Sequence, residues 1–148
     1  MDKKLKDEAA LALTTTIAEM GAKIHQLYDT LLQERETLRT SNHVQLPFIG
    51  DKKIALLQEI ENLDRLRVNL VRDVPETSTA LSGHWSEFLT QLQSCAELDR
   101  QNGLLAQACL NVVKKALATL TGNDPVASTY GPRGKQETNL RSNKSIAV

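Results

Sequence analysis

A chain of 148 residues can form one domain with a modest core and is too short for two independent ones. Its 18 basic and 18 acidic residues cancel, and pairs such as Lys52-Lys53 and Lys114-Lys115 do not amount to the basic block of a nucleic-acid binder. With 3% aromatic and 41% hydrophobic residues, the protein lacks the side groups for a bulky globular core, so long helices zipped along aliphatic seams are expected.

The charged start, Met1 to Glu8, is followed by an apolar run, Ala9 to Leu13, too short for a signal-peptide core or a membrane span. A cytoplasmic address is expected. From Lys6 to Leu38 the apolar positions step Ala10, Leu13, Ile17, Met20, Ile24, Leu27, Leu31, Glu34, Leu38. This is a heptad seam with one polar break at Glu34, and it predicts supercoiled packing against another helix. The run Thr14-Thr15-Thr16 is a poor helix former that tertiary contacts must hold, and Gly21 marks either close helix approach or simple tolerance.

The stretch from Thr40 to Gln45 loses helical periodicity, and Pro47 suits the first turn of a second, antiparallel helix. Its seam reads Ile49, Lys53, Leu56, Ile60, Leu63, Arg67, Leu70, with Leu57 and Leu66 broadening the face. Lys53 and Arg67 either lay their stems on apolar surface with their heads in water or set register and face a partner. Pro75 ends the helix, Glu76 to Thr79 read as a loop, and Ser82 as the N-cap of the third helix.

That helix carries Trp85, Phe88, Leu92, Cys95, Leu98, Asn102, Leu105, Cys109, Val112 and Ala116 along its seam. Trp85 is expected in the core. The second consecutive three-residue step, Cys95 to Leu98, is a stammer that rotates the apolar face, and with Asn102-Gly103 it predicts a kink or a split. Cys95 and Cys109 are expected as buried thiols, and at roughly 21 Å apart along one helix they cannot pair. The second half holds more apolar residues than one seam buries: Leu104, Leu105, Leu110, Val113, Leu117 and Leu120 form the candidate surface for an amphipathic client helix.

Gly122-Asn123-Asp124-Pro125 is a helix stop. From residue 123 four cations face Asp124 and Glu137, a net +2 with no periodicity, which predicts a flexible tail over 123–148 beyond a helical bundle over 1–122. The fold class expected is therefore all-α: an elongated antiparallel bundle or coiled coil of three long helices, with a flexible C-terminal tail.

Candidate chemistry is absent. His25, His43 and His84 have no zinc-ligand spacing, and Gly131 to Lys135 lacks the glycine spacing of a phosphate loop and is followed by Gln136 rather than Ser or Thr. No enzyme activity, metal or cofactor is expected. Two rival readings from other classes are a histidine phosphotransfer domain acting through His25 and a generic coiled-coil adaptor.

The runs Glu34 to Leu38, Lys52 to Ile60 and Leu63 to Arg67, the stretch Asn102-Gly103-Leu104-Leu105, and Tyr130-Gly131-Pro132-Arg133-Gly134 together resemble the FlgN family of flagellar export chaperones over about residues 5–135. The resemblance implies a helical cytoplasmic chaperone, alongside the absence of nucleic acid and of a membrane span already expected from charge and hydropathy. It would bind C-terminal helical segments of the hook-associated proteins of the hook-filament junction (FlgK/FlgL type). It further implies delivery of these clients to the flagellar type III export gate (FlhA type), with Tyr130 in the tail as the gate-docking residue. Without the resemblance, Tyr130 also reads as an incidental aromatic. A second copy of the protein, forming a homodimer, is an alternative cover for the apolar surplus. Pro47-Phe48-Ile49-Gly50 departs from the more continuous helix of the family pattern.

Overall fold

The computed structural model describes residues 2–122 and is helical almost throughout: α1 spans Lys3–Arg39, α2 Leu46–Asp73, α3 Pro75–Ala80 and α4 Ser82–Thr121. Tyr130 and the other expectations about residues 123–148 lie outside the described residues. Contacts divide the protein after Leu105, so that α1, α2, α3 and the first part of α4 form one unit. The described part of the second unit is the C-terminal stretch of α4 from Ala106.

α1 starts where Asp2 accepts hydrogen bonds from the amides of Lys4 (2.6 Å) and Leu5 (3.3 Å), satisfying two of the donors every helix start leaves open. The weak turn at residues 14–16 is held partly by side chains folding back on the helix, Thr14 and Thr16 donating to the carbonyls of Ala10 and Ala12. α1 then stops at a turn in which Ser41 takes a left-handed φ of 55°. α2 follows with Pro47 in its first turn, where its missing N–H costs nothing.

Two expectations about the next connection fail for related reasons. Residues 76–79 are not a loop but lie in the short α3, because the proline that cannot continue α2 is well suited to open another helix. Ser82 does not cap α4; it is the first residue within it, and the carbonyl of Leu81 receives the Trp85 amide. Of the kink or split expected near Asn102-Gly103, the split is absent, α4 running unbroken from Ser82 to Thr121.

Within the first unit, side-chain pairing sets the directions. Glu34 meets Lys53 and Lys23 meets Glu59, so α1 and α2 are antiparallel. Gly21 meets Phe88, Ile24 meets Cys95 and Leu31 meets Asn102, so α4 runs parallel to α1. The main core gathers Met20, Ile24, Leu27 and Leu31 of α1, Leu56 and Ile60 of α2, and Cys95 and Leu98 of α4, with Trp85, Phe88 and Leu92 against it. A second cluster joins Leu13 and Ile17 to Val74, with Leu70, Val71 and Leu81 around them. The α1 seam is thus buried as its heptad pattern requires. Leu57 and Leu66, expected to widen the α2 face, are instead exposed, since α1 and α4 cover only one side of α2.

Gly21 resolves as a point of close approach. A Cβ built there would lie 2.6 Å from Cζ and 2.7 Å from Cε1 of the Phe88 ring, closer than carbon atoms tolerate. Alanine gains about 1 kcal/mol of helix propensity and touches only a ring tip that can shift. Valine adds two methyls to the clash, and overpacking of this kind costs about 1–3 kcal/mol. Gly21→Val should lower the urea midpoint accordingly with an unchanged m-value, while Gly21→Ala stays near wild type. Equal stability of the valine variant would show that the ring does not rest on this position.

Candidate client-binding face and the polar layer

Each long helix has a polar break in its apolar seam at one common level. The α1 break is Glu34, the α2 break is Lys53, and the α4 break is Asn102; the structure brings all three together. Asn102, 2% exposed, donates through Nδ2 to the Leu31 carbonyl at 2.8 Å and to Glu34 Oε1 at 2.9 Å. Lys53 Nζ then bridges Glu34 Oε2 at 3.0 Å and Asp99 at 2.9 Å. Asn102 Oδ1 is buried without a partner among the described residues. Arg35 adds a hydrogen bond to Gln101 beside this layer.

Lys53 is therefore a cross-helix partner rather than a stem with its head in water. Burial of its ammonium pulls the pKa down, but the hydrogen bonds and charges of Asp99 and Glu34 outweigh this and leave it raised. A raised lysine pKa means that the pair's contribution is complete below the unfolded value of about 10.4 and is lost as pH rises through the folded one. Because the cluster is partly open to water, Lys53→Met should cost about 1–2 kcal/mol rather than the larger penalty of a fully buried pair. Denaturant titrations at pH 8 and pH 11 should show the wild-type excess over the variant shrinking at the higher pH. An excess that persists would remove the ion pair from the account.

Arg67, the second seam cation, sits 3.9 Å from the centroid of the half-buried Trp85 ring and hydrogen-bonds Asp64 at 2.9 Å. The tryptophan packs against the core as expected, capped by a guanidinium. Cys95 is buried and donates weakly to the Ile24 carbonyl, and burial raises its pKa, so its thiol is a core group. Cys109 departs from expectation in being only half-buried.

The candidate client-binding residues are distributed as follows. Leu104 and Leu105 close the first unit, the former exposed and the latter half-buried. In the second unit Leu110, Val113, Leu117 and Leu120 are all exposed, Leu120 by 82%. Sequence reasoning misses Val112, a seam position by its spacing yet 67% exposed, and Ala116, which is exposed as well. At about 100° per residue, Cys109, Leu110, Val112, Val113, Ala116, Leu117 and Leu120 fall within an arc of roughly 160°, while Gln107, Asn111, Lys114, Lys115 and Thr119 lie opposite. The signal that identifies Val112 is this arc; a single heptad stripe is too narrow to describe a face this broad.

A separate open groove in the first unit, of about 440 Å³, lies between α1 and α4 with Tyr28 and Leu32 on the α1 side and Thr90, Ser94 and Glu97 on the other. At its edge Arg100 and Gln101 hydrogen-bond the exposed Glu97 carboxylate and hold its pKa at about 2. Its α4 wall is polar, unlike the continuous aliphatic arc above. Among the described residues no group of His, Cys, Asp or Glu has the arrangement of a metal site, and no helix is long and apolar enough to cross a membrane.

The first unit is a helical bundle, and the C-terminal part of α4 exposes an aliphatic arc of the kind that a helical protein-binding module presents. The family described as FlgN protein matches residues 9–138, and the chain belongs to that family of flagellar export chaperones. No curated protein and no solved structure matches the sequence.

Proposed function

We propose that this protein acts in the cytoplasm as an export chaperone that covers the C-terminal helical segments of hook-associated proteins of the FlgK/FlgL type and delivers them to a gate component of the FlhA type. The observation that carries the reading is the exposed aliphatic arc of α4 between Cys109 and Leu120. A client segment that is amphipathic and unassembled exposes a stripe of the same kind, and laying one face on the other removes both from water while blocking self-association. Each leucine covered contributes about 1.5–3 kcal/mol, and ordering a client segment takes back about 2–5 kcal/mol of the total, which leaves binding firm and reversible. On this reading Leu104 and Leu105 of the first unit are client contacts in their own right, and Tyr130 supplies the docking group for the gate.

The test is size-exclusion chromatography of the full-length protein mixed with a C-terminal fragment of a hook-associated protein. Co-elution at micromolar concentrations is expected, with an unrelated amphipathic peptide left behind. Equal retention of both would reduce the protein to a generic adaptor. Concentration-dependent elution of the protein alone, abolished by the client, would mean that a second copy covers the same face in the client's absence.

A further inference from the structure

Among the described residues Gly103 has no packing reason to be glycine. A Cβ placed on it meets nothing within 4 Å, its φ is not in the left-handed region, and it lies in the interior of α4, where glycine weakens the helix. What glycine does change is the chemistry of its predecessor. In Asn-Gly the backbone nitrogen of the glycine attacks the asparagine Cγ with the least steric hindrance of any residue pair. A new bond from that nitrogen to Cγ closes a succinimide as the Cγ–Nδ2 bond breaks and ammonia leaves; water then opens the ring to aspartate or isoaspartate. No oxidant or cofactor takes part.

We propose that Asn102-Gly103 is a self-modification site that the folded bundle holds shut, so that opening of α4 at this layer is converted into an irreversible change that destabilises the native packing. Three features of the closed state suppress the reaction. Helical geometry points the Gly103 N–H along the helix axis toward the preceding turn, away from Cγ. Both Nδ2 hydrogens of Asn102 are committed, to the Leu31 carbonyl and to Glu34 Oε1, which prevents the amide from turning onto the backbone. The side chain is also buried, away from the water that would complete the hydrolysis.

The same contacts penalise the product when the helix closes again. An aspartate at this position carries no hydrogen to donate when ionised, and would face a carbonyl and the Glu34 carboxylate where the amide gave two hydrogen bonds. Isoaspartate inserts an extra backbone atom and breaks the helical register as well. Molecules that open often at the polar layer are therefore converted one by one to a less stable form.

The full-length protein would be incubated at pH 8, folded or in urea, and digested with trypsin to release residues 101–114. That peptide also contains Asn111 followed by Val112, a slow internal reference. Mass shift and isoaspartate content at Asn102 are read against time. Since modification tracks the open population, the folded protein should react at least about tenfold more slowly than the unfolded one. A core-weakened variant, Leu27→Ala, should fall between them, and Gly103→Ala should be slow in both states. Modified molecules should elute apart from the native peak. Equal rates in folded and unfolded protein, or modified molecules that elute and melt like wild type, would overturn the proposal.

Discussion

Asn102→Asp should destabilise the protein by about 3–5 kcal/mol, the penalty of leaving a charge buried without a partner. The substitution is nearly isosteric, so the loss is electrostatic. The amide donates to the Leu31 carbonyl and to Glu34 Oε1. A carboxylate there meets one oxygen acceptor and one like charge, with Lys53 already engaged on the far oxygen of Glu34. Asn102→Leu provides the control, because an apolar side chain also removes the Oδ1 that has no partner among the described residues, and replacing buried polar groups by well-packed apolar ones is often neutral. Urea unfolding should place the aspartate variant far below wild type and the leucine variant close to it. An aspartate carboxyl raised in pKa by this site destabilises most when ionised, so its penalty should be smaller at pH 5 than at pH 8. Equal penalties for both variants would mean that lost packing, not charge, governs the position.

This polar layer shows where sequence reading succeeds and where it stops. Glu34, Lys53 and Asn102 each stand out as a seam position filled by a polar residue, because heptad spacing is a local property of one helix. That they occupy the same level depends on the offset between helices, which the connections at residues 40–45 and 74–81 set and which no periodicity encodes. The α1 seam from Leu13 to Leu31 is legible for the complementary reason: it is buried between two neighbours, so every step of the pattern carries the same demand. Gly21 stays ambiguous until Phe88 is found opposite it. Pro75 reads as an end and not also as a beginning, since a proline's missing donor satisfies both roles and only the next four residues distinguish them. The stammer between Cys95 and Leu98 rotates the face of α4 without breaking it, because a shift in seam position asks nothing of the backbone hydrogen bonds. The broad apolar arc of the C-terminal part of α4 is visible in the sequence as a surplus, but placing Val112 in the seam presumes a neighbour to bury it.

Leu110→Asp combined with Leu117→Asp should leave the fold intact and weaken client binding by about two to four orders of magnitude. Both side chains are already exposed, so the unliganded protein loses little buried contact when they become charged, and far-ultraviolet dichroism and the melting temperature should stay close to wild type. In a complex the same two leucines would each contribute about 1.5–3 kcal/mol of burial, together roughly 3–6 kcal/mol, which corresponds to a factor of about 10² to 10⁴ in Kd. The aspartates also bring a desolvation penalty on closing the interface, pushing the result toward the upper end. Lys114→Gln with Lys115→Gln, on the opposite side of the same helix, changes charge without touching the arc and should alter affinity much less. Calorimetric titration with the C-terminal client fragment distinguishes the alternatives. A variant that melts early would place the leucines in the protein's own core, while a variant that folds and binds with unchanged affinity would move the client to another surface, the groove beside Tyr28 and Leu32 being the next to probe. Only a folded protein that no longer retains its client is consistent with an uncovered helix face as the working surface.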